Sequence, residues 1–346
     1  MSYYMGIDHH KRYSQVAVMD EKGEICVNSR FKNEKKSFES LQQHFNVPFK
    51  ATLEAGNNWG KMYDLLEEIG IDTEVAHPLK VRAIADAKIK TDSIDAPTLA
   101  HLLRANLIPK IHVPTKEVRE QKNLLRYRLW LVRIRTMIKN RIYNILDRND
   151  VPTEGINIFS AKAKESIKNK KYNQIPFKNE IDKKLVKEHY EILEILDEYI
   201  KKTGSWIDKE LKNNPYVPIL DSIPGFAKVL SCLAALEIDK IERFPEDKKF
   251  ASYCCLIPST YASAGKIYHG DLISHGNLFL KYVFIEAAWT SIRCSGYCRS
   301  YFERIKERKG NNIAIVALAR RLSEIAYNCL KENRNYEERP YIPYSR

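Results

Sequence analysis

In the stretch KTDSIDAPTLAHLLRANL, residues 90–107, Asp92 and Asp95 stand three apart at the start of an amphipathic helical pattern. Positions i and i+3 share a helix face, so two carboxylates placed there can aim at one point. Capping and the helix dipole also favour acids in a first turn, with Asp92 as N-cap and Asp95 as a first-turn acid, and the pair alone leaves both readings open. Asp8 ends the first apolar run, YYMGID, and Glu54 ends a later one, FKATLE. Carboxylates at strand ends and at the start of a following helix can meet over one rim of a sheet, as ligands of divalent ions commonly do. Four such groups close together repel one another unless cations compensate, and Mg²⁺ is the natural occupant. Two ions about 4 Å apart would stabilise the attacking and leaving oxygens of a phosphoryl transfer.

The elements that must position these acids follow from periodicity. YYMGID, SQVAVMD and ICVNSRF, the last two joined by the turn DEKGE, predict an antiparallel meander of three strands. A polar helical stretch follows, then the strand carrying Glu54, the helix WGKMYDLLEEIG, the strand IDTEVAHP, the helix LKVRAIADAKI and the helix opened by the two aspartates. A meander followed by alternating strands and helices implies a mixed α/β sheet with helices packed on it. Residues 115–150 predict one long helix, with Leu125, Leu129, Val132 and Ile142 on one side and Arg119, Lys122, Arg126, Arg128, Arg133, Arg135, Lys139 and Arg141 between them. Such a run is either a solvated face or a phosphate-facing one. From Gly155 to Asn214 the chain is Lys-rich, with Ile181, Leu185, Ile192, Leu196 and Tyr199 at near-heptad spacing. That spacing predicts a coiled-coil linker offering a dimer contact, or an antiparallel helix pair of the same pattern. The expected division is an α/β domain over 1–112, a basic helix and coiled-coil region over 113–214, a mainly α-helical domain over 215–332 and a poorly ordered polar tail over 333–346.

Lys and Arg number 57 against 44 Asp and Glu, for a net charge of +13 in 346 residues. That excess points to a polyanionic partner, with nucleic acid the leading class. No apolar run approaches the roughly 18 residues of a membrane span, and MSYYMGIDHH lacks a signal-peptide core, so a cytoplasmic protein without a membrane partner is expected. The seven cysteines are an odd number with no CxxC pair, which suits a reducing compartment. A zinc site from Cys254, Cys255, Cys294 and Cys298 is conceivable, but adjacent cysteines seldom share one tetrahedral ion and the CxxxC spacing is nonspecific, so they are expected as small buried hydrophobes.

GIDHHK with Asp8, LEAGNNWG with Glu54 and KTDSIDAPTLAHLL with Asp92 and Asp95 resemble the acid tetrad of the DEDD transposases, insertion-sequence family one-hundred-and-ten, which includes the Piv-type DNA invertases. LDSIPGFAKVLSCLAALEI, FASYCCLIPSTYASAGK and ISHGNLFLKYVFIEAA are similar to that family's C-terminal transposase domain. The resemblance implies a RuvC-like (RNase H) N-terminal domain, with Mg²⁺ held by Asp8, Glu54, Asp92 and Asp95. Matching Pro258, Tyr261 and Ser263 to the family's Pro-x-x-Tyr-x-Ser run makes Ser263 the counterpart of the catalytic nucleophile, with Ser259 as second choice. Ala264 separates Ser263 from Gly265, Ala227 replaces the second glycine after Gly225, and His275 stands where Lys is usual. Gly225 and Lys228 are candidates for cradling a phosphate in the Pro-Gly turn. His275 is a candidate proton shuttle or a structural polar residue.

The implied function is excision and insertion of a mobile DNA element through a serine-linked intermediate, guided by a structured non-coding RNA. A serine ester conserves the bond energy that rejoining needs. The acids and the serine lie far apart in sequence, so the resemblance implies a homodimer or homotetramer in which domains dock. Arg126, Arg133, Lys139 and Arg141 would then face RNA or DNA. Two other readings remain: a RuvC-type structure-selective nuclease acting by water hydrolysis, and a non-catalytic nucleic-acid-binding scaffold. Under any of them the +13 charge predicts that nucleic-acid affinity falls steeply with added salt in an anisotropy titration, whereas a flat response would remove phosphate contacts as the main binding term.

Overall fold

The computed structural model describes residues 2–45, 47–85, 92–154, 157–160, 177–263 and 266–338, and of residues 92, 93, 262, 266, 267 and 269 the backbone alone. They fall into two compact units, Met1–Lys116 and Glu117–Arg346.

The first unit is built on a five-stranded sheet in the order β3-β2-β1-β4-β5, from β1 (Tyr3–His9), β2 (Tyr13–Met19), β3 (Ile25–Lys32), β4 (Phe49–Glu54) and β5 (Asp72–Ala76). β1, β2 and β3 form the antiparallel meander, and β4 and β5 run parallel to β1. One face of the sheet carries Met5, Ile7, Val16, Val18, Ala51, Leu53 and Val75. Helices α1 (Lys35–Phe45) and α2 (Trp59–Glu68) cover it with Phe38, Leu41, Met62 and Leu66. A short helix, α3 (Pro78–Ile84), follows β5, and the opposite face is covered by α4 (Asp92–Arg104). β3 is an exposed edge whose Asn28, Ser29, Arg30 and Lys32 discourage further strand pairing.

Gly6 sets the distance between α4 and the sheet. A Cβ at Gly6 would lie 2.0 Å from the Ala96 carbonyl oxygen and 2.6 Å from the Ala100 nitrogen, so the helix backbone rests on the strand itself. Ala96, Leu99 and Ala100 are buried in this contact.

In the second unit, α5 (Lys116–Arg148) and α6 (Glu180–Glu210) form an antiparallel pair. Ile142, Ile145 and Leu146 pack on Val186, Tyr190 and Leu193, while Leu131 packs on Leu196 and Ile200 further along. The seam expected from Ile181, Leu185, Ile192, Leu196 and Tyr199 is therefore displaced: Ile181, Ile192 and Tyr199 are exposed and only Leu196 is fully buried. α6 carries two apolar stripes, and spacing alone does not say which one meets α5. Near the far end, Arg148 and Asn149 hydrogen-bond the Asp182 carboxylate and hold it down at about 2.

The remaining helices are α7 (Tyr216–Asp221), α8 (Lys228–Ile238), α9 (Asp247–Tyr253), α10 (Leu278–Cys294), α11 (Gly296–Lys309) and α12 (Asn311–Lys331). They enclose one core that includes Leu233, Leu236, Phe250, Phe284, Leu318 and Leu322. A hairpin of β6 (Pro258–Ser263) and β7 (Lys266–Leu272) interrupts the helices, where the sequence pattern suggested mainly helix. Five of the cysteines, Cys232, Cys254, Cys255, Cys298 and Cys329, are buried, while Cys26 and Cys294 are exposed. The tail is anchored as far as Glu338, contrary to the expectation of disorder from residue 333. The Tyr336 N–H donates to Ser222 Oγ at 2.8 Å and Ser295 Oγ donates to Glu338 at 2.7 Å. No helix among the described residues is long and apolar enough to cross a membrane.

Gly225 repeats the Gly6 device in the second unit, with φ +88° and a would-be Cβ 2.0 Å from the Ala287 carbonyl oxygen of α10. Gly6→Ala and Gly225→Ala should each destabilise the protein by at least the ~1–3 kcal/mol typical of overpacking, read as a lowered urea midpoint of unfolding. An unchanged midpoint for either would show that the helix can shift away at little cost.

Candidate active site

β1 and β4 are adjacent and parallel, with Ile7 opposite Leu53, so Asp8 and Glu54 are the next residues of neighbouring strands, about 4.8 Å apart across the ladder. Ile7 and Leu53 face α1 and α2, so alternation turns Asp8 and Glu54 to the α4 face. Along that face Tyr4 packs with Leu99, Leu102 and Leu103, and Gly6 lies against Ala96 and Ala100. Two residues further, Asp8 lies toward the start of α4, the turn that holds Asp92 and Asp95. Asp95 is half-buried, and the Asp92 side chain is outside the described residues.

The surroundings are polar. His10 Nε2 lies 3.1 Å from Asp8 Oδ2, and His9 Nδ1 lies 3.1 Å from Ser14 Oγ. Burial, with the nearby charges of His10 and Lys61, pushes His9 below the usual imidazole range. Beneath α4, Thr52 sits opposite Gly6, and its buried Oγ1 has no hydrogen-bond partner among the described residues. Carboxylates such as those of Asp8, Glu54 and Asp95 are the donor type that a hard divalent cation takes. Among the described side chains no three acids, histidines or cysteines are placed to share an ion, and Asp92 is not among them.

In the second unit, Ser263 is the last residue of β6, paired with Lys266 of β7, and is exposed. Ala264 and Gly265 lie outside the described residues. His275 is exposed in the segment after β7, and Asn277 caps α10 by accepting from the N–H groups of Phe279 and Leu280. The Asn277 side-chain amide also donates to Glu237 at 2.8 Å.

Residues 5–149 match the family model of DEDD transposases of the IS110 type, described as a transposase, and residues 217–303 match the model of the transposase IS116/IS110/IS902 family. The transposase for insertion sequence element IS1111A of Coxiella burnetii is 22% identical over 337 residues, 96% of this chain and 90% of its own. A probable family 20 transposase of Pseudomonas aeruginosa is 22% identical over 76% of this chain and 80% of its own. The transposase for insertion sequence element IS1533 of Leptospira borgpetersenii is 26% identical over 62% of each chain. The chain belongs to the IS110 family of transposases. Membership implies DNA substrates, enzymatic cleavage and rejoining of strands, and divalent-metal use in general.

In this IS110-family chain the basic residues singled out by sequence divide by what they touch. Arg133 and Arg141 are exposed, Arg141 beside Asn144, Arg148 and His189 in a shallow cleft between α5 and α6. Lys139 lies over the Phe159 ring at 4.8 Å, and Lys228 pairs with Asp208 at 2.8 Å. Gly225 is taken up by its packing on α10, which accounts for a glycine there without a phosphate. Arg126 is held in a fork on Glu237, donating from Nε at 2.9 Å and Nη2 at 3.1 Å, with its guanidinium 4.4 Å over the Phe279 ring. Glu237 is 1% exposed, and Lys122 Nζ approaches it at 4.0 Å. Burial drives Lys122 below the usual lysine range, against the opposing pull of Glu237 and Asp239.

This cluster was not foreseen, although one signal was present. Glu237 is an isolated acid in the apolar run LSCLAALEI, and a buried carboxylate requires a partner. Glu237→Ala should destabilise the protein by roughly 3 kcal/mol in urea unfolding, because Arg126 and Lys122 lose their counter-charge. Arg133→Glu should leave stability within about 0.5 kcal/mol while weakening DNA or RNA binding. Unchanged affinity would return that part of α5 to a solvated face.

Proposed function

We propose that the chain is the recombinase of a mobile element, excising and inserting DNA through a transient phosphoserine bond to Ser263, with Asp8, Glu54, Asp92 and Asp95 holding Mg²⁺. The observation that carries this reading is the placement of Asp8 and Glu54 at the ends of adjacent parallel strands, on the face where α4 brings its first turn. The strand order β3-β2-β1-β4-β5, a meander followed by two parallel strands, supports a RuvC-like (RNase H) domain over 1–112. A basic helical region over 113–214 and the serine-bearing domain over 215–332 complete the proposed division.

When bound, the divalent ions would offset repulsion among the carboxylates and stabilise charge developing on phosphate oxygens. Ser263 Oγ attacks the phosphorus of a DNA phosphodiester, forming a serine–phosphate bond as the bond to one deoxyribose oxygen breaks. The serine gives up its proton and the departing deoxyribose oxygen gains one. In the second transfer a deoxyribose hydroxyl attacks the phosphoserine, rejoining a strand and restoring the serine. The count of phosphodiester bonds is unchanged, so no nucleotide cofactor is consumed. The exposed position of Ser263 at a hairpin end supports access to a polymeric substrate.

A structured non-coding RNA encoded by the element is the proposed guide, with the +13 charge and the exposed Arg133 and Arg141 supporting phosphate contacts. The protein would work in the cytoplasm as a homodimer or homotetramer. The stripe of Ile192, Ile195, Tyr199 and Trp206 left exposed along α6 at heptad spacing supports pairing with a second copy.

Ser263→Ala should abolish both the detergent-stable protein–DNA adduct and strand transfer, and EDTA should abolish cleavage by the unaltered protein. Continued strand cutting by Ser263→Ala without an adduct would favour the water-using nuclease instead. Unchanged biological activity after Asp92→Asn and Asp95→Asn together would favour the non-catalytic scaffold.

A further inference from the structure

The hairpin that carries Ser263 presents a second feature that strand cleavage alone does not require. Tyr261 and Tyr268 are directly opposite one another across β6 and β7, and Ser263 opposes Lys266 two residues along. Because side chains alternate, Tyr261, Tyr268 and Ser263 share one face of the ribbon. Tyr261 is 68% exposed and Tyr268 61% exposed, and neither belongs to the core of the unit. Gly270 borders the pair: a Cβ there would lie in ordinary contact with Tyr261 Cε2 at 3.6 Å and would meet Ser259 Oγ at 2.6 Å.

Cross-strand aromatic neighbours help hold a two-stranded ribbon together, and that could be their whole purpose. A ribbon held by such a pair does not, however, need rings left about two-thirds open to solvent. Ring surface so exposed in a chain of net charge +13 fits a polyanion whose monomers carry flat apolar faces. We propose that Tyr261 and Tyr268 form a stacking platform for unpaired DNA bases beside the phosphodiester that Ser263 attacks. This rests on the reading of Ser263 as nucleophile. Stacking anchors the nucleotides flanking the reacting phosphorus, which restricts the backbone without selecting a base, because every base offers a π-face. Tyr261 and Tyr268 are positioning residues in this scheme.

The test uses the full chain carrying Ser263→Ala, so that binding is read without cleavage. Anisotropy compares a 20-nucleotide oligodeoxythymidine with an abasic deoxyribose-phosphate strand of equal length at one salt concentration. Adding Tyr261→Leu or Tyr268→Leu retains an apolar cross-strand pair but removes a π-face, and Trp at either position restores one. The expected result is a loss of about ten-fold in affinity for the base-bearing strand with each Leu variant, no change for the abasic strand, and recovery with Trp. Equal loss on both strands, or no loss on either, overturns the platform. The serine reading is scored apart from this, by the covalent adduct of the protein with Ser263 intact: an adduct with no base-selective effect removes stacking alone, and base-selective stacking with no adduct removes the nucleophile alone.

Discussion

The approach of α4 to β1 at Gly6 governs how the start of that helix meets the sheet. With no side chain on that residue, the carbonyl of Ala96 and the amide of Ala100 come to rest over the central strand at a separation that any Cβ would forbid. The direction of travel matters as much as the distance. Tyr4 packs against the cluster that holds Leu99, Leu102 and Leu103, and Ala96 lies over Gly6, so the helix start points toward the strand end that bears Asp8. A bulkier residue at position 6 would lift the helix, and with it the turn that holds Asp95, off the strand that bears Asp8.

The second unit meets a comparable demand with charge. Glu237 is buried at the end of α8, where an unpaired carboxylate would cost several kcal/mol. It is met by Arg126 from α5 and by the side-chain amide of Asn277, the residue that also caps α10. Three helices are thereby fixed at one point, directly after the chain leaves the hairpin that bears Ser263. Such a network adds geometric definition more than net stability, since desolvation offsets much of the Coulomb attraction.

Much of the first unit was legible because its elements advertise themselves locally. The alternation of SQVAVMD and the apolar run carrying Asp8 predict strands that are found, a helix does begin at Asp92 within KTDSIDA, and Glu54 ends β4 while Asp8 stands one residue before the end of the neighbouring parallel β1. The second unit was harder, because its decisive facts are long-range. Arg126 looks like its neighbours in sequence, and only the fold reveals that a carboxylate 111 positions away claims its guanidinium. The hairpin at 258–272 was missed because Pro258, Gly265 and Gly270 interrupt its alternation, leaving runs too short to separate from loop. On α6 the difficulty was an excess of signal, two apolar stripes where one would have been unambiguous.

The apolar filling of the α5–α6 pair comes in separate patches. Leu125, Leu129 and Ile207 belong to the main core, Leu131, Leu196 and Ile200 form a middle patch, and Ile142, Ile145, Val186 and Leu193 form an end patch. Cores divided in this way allow local opening at a lower free energy than global unfolding, so the root of the pair, joined to the main core, is its most firmly held part. Amide protons along α5 should accordingly exchange most slowly near Leu125, where the helix joins the main core, and faster toward Arg148.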